Sequence, residues 1–120
     1  LINYSNVLFD LNNEYNINTF TAKQEGIYQI NANLSFDPAN ASVPVFWFLD
    51  IIVNDTFSIC NNTGFTTAFN TSRVIPSVST IYRLNPGDTV KVVFDSSTNG
   101  RVFASLPGAF SFSAARFPFL

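Results

Sequence analysis

Eight acids, six Lys or Arg, a single cysteine and no histidine are all this chain offers for acid–base, nucleophilic or metal chemistry. Without an imidazole, Ser-His-Asp and Cys-His nucleophile systems and His-based zinc sites are out of reach. Cys60 has no imidazole to take its proton, and free cysteines are most often small buried residues, so an inert strand position is expected for it. The five glycines stand apart from one another, which excludes a dinucleotide fingerprint and a phosphate loop. No Asp-x-Asp-x-Asp-Gly calcium loop occurs, and no pair of acids stands out as flanking a glycosidic bond. The chain is therefore not expected to be an enzyme.

One charged residue is out of place. Asp50 lies inside Phe46-Trp47-Phe48-Leu49-Asp50-Ile51-Ile52-Val53, and a buried unpaired carboxylate is costly. Either it reaches solvent near the end of a hairpin, or it forms an ion pair with Arg73 or Arg116, within one subunit or between subunits.

The elements that hold these residues read as strands. From Tyr28 the chain alternates, with Tyr28, Ile30, Ala32, Leu34 and Phe36 apolar and Gln29, Asn31, Asn33 and Ser35 between them. A period of two gives one apolar ribbon and one amide/hydroxyl ribbon. Val45 to Val53 is apolar at both parities, as for a strand covered on both faces. One of those faces must meet something beyond the domain's own core. Tyr4 to Leu11 reads as a first strand, Thr56 to Cys60 as the return strand after an Asn54-Asp55 turn, and Val74 to Leu84 as a strand irregular at Pro76. Thr89 to Asp95, Arg101 to Ala104 and Ala109 to Phe117 complete the set. Asn85-Pro86-Gly87-Asp88 has type II turn chemistry, and Asn99-Gly100 and Pro107-Gly108 read as turns, the former as a hairpin. The long loop is expected at Asn61 to Ser72, with a second at Asp37 to Pro44. Short strands separated by regular turns, without helical periodicity, predict an all-β sandwich or barrel.

The 120 residues, 47% of them hydrophobic, suit one domain with one core, residues 1–120. Charged residues make up only 12%, and Asn, Ser and Thr supply the missing polarity. Fourteen Phe are a heavy apolar load, which points to an aromatic core or to cover by another subunit. A net charge of −2 gives no electrostatic footprint for nucleic acid. No apolar run approaches the roughly 18 residues of a membrane-spanning helix, so membrane insertion is not expected. The sequence starts at Leu1 and has no Met, which suggests the processed or excised part of a longer product. Asn-x-Ser/Thr triplets at Asn3, Asn33, Asn40, Asn54, Asn61 and Asn70 are expected by chance in so Asn-rich a chain, and glycosylation is not inferred.

Phe20-x5-Gly26-x-Tyr28-x-Ile30 resembles the signature of the globular head domain of complement component C1q, whose relatives share the tumour necrosis factor-like jelly roll. Tyr15-Asn16, Ile52-Val53-Asn54-Asp55 and Leu84-Asn85-Pro86-Gly87-Asp88-Thr89-Val90 fall in register with further family motifs, so the resemblance spans most of the chain. Ile30 stands where the family usually has Phe, the link from Tyr15 to Phe20 is shorter than in animal members, and Ala115-Arg116-Phe117-Pro118 lacks their usual Phe-Ser-Gly-Phe ending. This combination looks like the bacterial branch found in Bacillus and related spore formers.

The resemblance implies a ten-strand jelly-roll β-sandwich that assembles as a homotrimer, often the C-terminal head after a collagen-like stalk. Phe46, Trp47, Phe48, Phe110, Phe112 and Phe117 are the candidates for the three-fold interface, with ordinary intradomain core as the alternative for each. Some relatives hold calcium near the trimer apex; here Asp37, Asp55 and Asp88 are the only loop acids to consider for it. Two functions follow. One is a non-enzymatic trimerising head on a cell or spore surface, part of a coat, exosporium or filament. The other is a trimeric recognition module whose loops bind a protein or glycan. Both place the protein outside the cell or on its surface, with itself, a stalk or other surface proteins as partners.

Overall fold

The computed structural model describes residues 14–16, 18–39, 44–66, 73–103 and 110–118, and within them every regular element is a strand. The strands are β1 (Tyr15–Asn16), β2 (Thr19–Thr21), β3 (Gly26–Asn33), β4 (Ser35–Pro38), β5 (Val45–Val53), β6 (Phe57–Thr66), β7 (Ser77–Leu84), β8 (Thr89–Ser96), β9 (Gly100–Phe103) and β10 (Ser111–Arg116). All pairings are antiparallel: a five-stranded sheet β1-β2-β8-β5-β6, a three-stranded sheet β10-β3-β7 and a two-stranded sheet β4-β9. The expected strand at Tyr4 to Leu11 and the turn at Pro107-Gly108 lie outside the described residues.

The sheets pack through their apolar parities, giving a β-sandwich-like architecture. Tyr28, Ile30 and Ala32 of β3 meet Leu49, Ile51 and Val53 of β5 and Val90 and Val92 of β8 in one buried cluster. Edge-on contact between Phe20 and Tyr28, with centroids 5.8 Å apart, joins the five-stranded sheet to the three-stranded one. Phe36 and Phe94, at 4.9 Å, join the two-stranded sheet to the same core. Ring pairs of this kind add about 0.5–1.5 kcal/mol beyond the area they bury.

Two turns form as their residues dictate. Asn54 and Asp55 have φ of 54° and 59°, and Thr56 N donates to Val53 O, so the β5–β6 hairpin has the two left-handed central residues of a type I′ turn. Gly87, with φ of 92°, closes the Asn85-Pro86-Gly87-Asp88 turn through the bond from Asp88 N to Asn85 O.

Three expectations are corrected. The alternating run does not continue to Phe36 in one sheet: the chain breaks at Leu34, whose N–H donates to Pro76 O, and Leu34, Ser35 and Phe36 are all buried. Ser35 therefore leaves the polar ribbon. The stretch from Asn61 to Thr66 is strand rather than loop, because β6 pairs along the whole of β5 with a register shift at Ile51/Ile52. Asn99-Gly100 makes no hairpin, since β8 pairs with β2 and β5 while β9 pairs with β4.

Candidate assembly surface

Strand parity decides what each sheet shows to solvent, because directly opposed residues share a face. On the outer face of β10-β3-β7 stand Ile27, Gln29, Asn31 and Asn33 of β3, Ser77, Ser79, Ile81 and Arg83 of β7, and Ser111, Ser113 and Ala115 of β10. Arg83 is the one charge among them, and it pairs with Glu25. The remaining polarity is amide and hydroxyl, and Asn31, Asn33, Ser79, Ser111 and Ser113 are tied into rungs across the strands. Asn31 Nδ2 donates to Ser113 Oγ at 3.2 Å while Ser79 Oγ donates to Asn31 Oδ1. Asn33 Oδ1 accepts from both the N–H and the hydroxyl of Ser111, at 2.8 and 3.0 Å. At the other end of the same face Ile27 is 42%, Ile81 61% and Phe117 46% exposed. Glu25, Gly26, Ile27, Arg83, Phe117 and Pro118 line a shallow depression there.

The outer face of the five-stranded sheet differs. Phe46, Phe48, Asp50 and Ile52 of β5 share it with Phe65, Thr63 and Asn61 of β6 and with Lys91, Val93 and Asp95 of β8. Phe46 and Phe65 lie with centroids 4.9 Å apart and are 58% and 57% exposed. Three charges stand among these residues. The face of Val45 to Val53 turned away from the core is thus open on the single chain.

The six aromatic candidates divide between inside and outside. Phe46 and Phe117 are exposed and Phe48 half-buried on an outer face. Trp47, Phe110 and Phe112 pack against the domain's own core. Phe112 stacks near Tyr15 at 5.5 Å and Phe20 at 6.2 Å. For these three the intradomain alternative describes the single chain. Phe65 and the Asn31 and Asn33 rungs were not singled out from sequence. The signal for the rungs was the amide/hydroxyl parity of β3; Phe65 fell in a stretch that read as loop.

Asp50 accepts a hydrogen bond from Ser58 Oγ, one strand away on β6. Arg73, one of its two expected partners, instead places Nε 3.4 Å from Asp37 Oδ1. Arg116, the other, stands opposite Tyr28 in the register of β10 and β3, with its side chain against Gly26. On the single chain β5 carries Asp50 on the outer face, part-exposed, with the Ser58 hydroxyl as its partner.

The three acids considered for calcium each have a protein partner, and Asp37 lies in β4 rather than in a loop. Asp37 has Arg73, Asp55 Oδ1 lies 2.6 Å from Lys91 Nζ, and Asp88 accepts from Asn85 N at 2.8 Å and Asn54 Nδ2 at 3.0 Å. The bond from the Asn85 backbone, then that from the Asn54 amide, holds the Asp88 carboxyl below the ordinary aspartate range. Burial, reinforced by the Glu14 carboxylate, raises the Tyr28 phenol, which donates to Gln24 O at 2.8 Å. Among the described residues no three His, Cys, Asp or Glu gather as a metal site. Cys60 is half-buried, its Sγ 3.6 Å from Ser79 O.

No protein-family model matches the chain, and no curated protein matches it in sequence.

Proposed function

We propose that this chain is a non-enzymatic head that assembles as a homotrimer through the outer face of β10-β3-β7, in a coat or filament on a cell or spore surface. The observation that carries this is the composition of that face: open to solvent, largely apolar at one end, amide and hydroxyl at the other, and with Arg83 and Glu25, paired with each other, as the charges among its described residues. Soluble proteins place Lys, Glu, Asp and Arg on faces that stay wet, and the cores of protein interfaces are where those residues are depleted. Satisfied Asn–Ser rungs can be buried against a second copy without orphaned polar groups.

We further infer a jelly roll. The chain passes between sheets at most of its connections, and the orders β10-β3-β7 and β2-β8-β5 set chain-distant strands side by side, as Greek-key crossings do. The trimeric number rests on the resemblance to the C1q head. No helix of the described residues is long and apolar enough to cross a membrane.

Light scattering on a size-exclusion column tests the assembly. Three chains of 13.3 kDa give about 40 kDa, persisting at low micromolar concentration. A stable monomer overturns it. The same run with a chelator reads whether calcium contributes to the assembly, and loss of the trimer there would make the ion structural.

A second reading, recognition of a protein or glycan, is favoured by Phe46 and Phe65, two adjacent exposed rings on the opposite sheet. In a trimer three such surfaces would act with avidity. Binding on a glycan array that Phe46→Ala and Phe65→Ala abolish, with the solution mass unchanged, would support it.

A further inference from the structure

We infer that Asn99-Gly100 is a self-modification site, at which the Asn99 amide converts through a cyclic imide to aspartate and isoaspartate. An Asn-Gly pair that forms no hairpin needs another reason for its glycine, and the structure supplies one. Gly100 is absent from the positive-φ positions, so conformational freedom is not what it provides. A Cβ there would collide with the carbonyl of Asp37 and the ring of Phe36. The residue following Asn99 is thereby held without a side chain.

The Gly100 nitrogen stands outside the ladder. Pro38 is opposite Gly100, and Ala39 N donates to Asn99 O at 2.8 Å. In an antiparallel pair this makes Pro38 and Gly100 a non-hydrogen-bonded couple, with the Gly100 N–H directed away from β4. β9 has no second neighbour among the described strands. Asn99 is exposed, and no hydrogen bond among the described residues holds its side-chain amide.

Two other asparagines provide the contrast. Asn54 has its amide tied at both ends, Nδ2 to Asp88 and Oδ1 to the N–H of Thr89 at 3.0 Å. Asn85 precedes Pro86, which has no N–H to give up.

The reaction needs only water and base. The Gly100 amide gives its proton to hydroxide, the nitrogen attacks Asn99 Cγ, the N–Cγ bond forms, the Cγ–Nδ2 bond breaks and ammonia leaves. Water then opens the imide, at Cγ to give aspartate or at the main-chain carbonyl to give isoaspartate. Either product places a carboxylate two residues from Arg101. Isoaspartate also lengthens the main chain where Asn99 O accepts from Ala39, loosening the end of the β4-β9 ladder.

The folded protein is aged at mildly alkaline pH and cut with trypsin, and the peptide Val92–Arg101 is compared with that of an unaged sample by mass and chromatography. The expected result is the amide-to-acid mass gain, resolved into two products, in folded protein. Asn99→Gln should lose it entirely, and Asn54 should stay unmodified. If the peptide in folded protein remains unchanged over a period in which the same free peptide converts, or converts only after unfolding, the assignment is overturned.

Discussion

The indole of Trp47 on β5 covers Gly64 on β6, directly opposite it in register, and a Cβ at Gly64 would fall inside the ring. A tryptophan on the inner face of the sheet has room only because its cross-strand partner has no side chain. Gly64→Ala should therefore push the ring off its rotamer and lower stability by about 1–3 kcal/mol. Urea denaturation followed by Trp fluorescence measures this, since Trp47 is the only tryptophan. An unchanged midpoint would show that the ring has another place to go.

The assembly surface separates from the aromatic pair on the opposite sheet by mutation. Ile81→Lys and Ile27→Lys put charges at the apolar end of the β10-β3-β7 face and should reduce the solution mass toward that of one chain. Phe46→Ser with Phe65→Ser should leave the mass unchanged. The reverse pattern would move the interface to the five-stranded sheet.

Asp88 ties the Asn85 turn to the β5–β6 hairpin, and its carboxyl titrates lower in the folded protein than in the unfolded chain. A depressed folded pKa adds stability above the unfolded value, about 3.9, and that stability is lost as pH falls through the folded pKa. Asp88→Asn should be less stable than the parent at neutral pH, and the gap should close below about pH 4. Denaturant midpoints of both proteins across this range decide it; a gap constant with pH would mean that the charge contributes nothing.

The hairpin at Asn54-Asp55 holds two side-chain-bearing residues at positive φ, where glycine is the better second residue. Asp55→Gly removes that strain at the expense of an exposed pair with Lys91, itself worth about 0–1 kcal/mol. A net gain of about 0.5 kcal/mol in stability is expected, read as a higher urea midpoint. A lower midpoint would assign the larger share to the ion pair.

Local chemistry alone settled several features. Proline at the second position and glycine at the third suffice for the Asn85–Asp88 turn, because backbone sterics act within four residues. Period-two alternation is likewise a property of the strand itself, so the buried parity of β3 as far as Ala32 and the span Val45 to Val53 were legible. Tertiary structure decided what those signals share with other outcomes. A strand apolar at both parities does not say which parity meets the core, so Phe46 outside and Trp47 inside depended on β6 and on Gly64. Ser35 looked like the next member of a polar ribbon until the chain left the sheet at Leu34 and buried it. Asn99-Gly100 carries the sequence of a hairpin, but its neighbours pair with distant strands, and the glycine answers to the ring of Phe36 across the ladder. Pairings between residues far apart in the chain depend on all the sheets closing on one core at once, and no single stretch of sequence contains that condition.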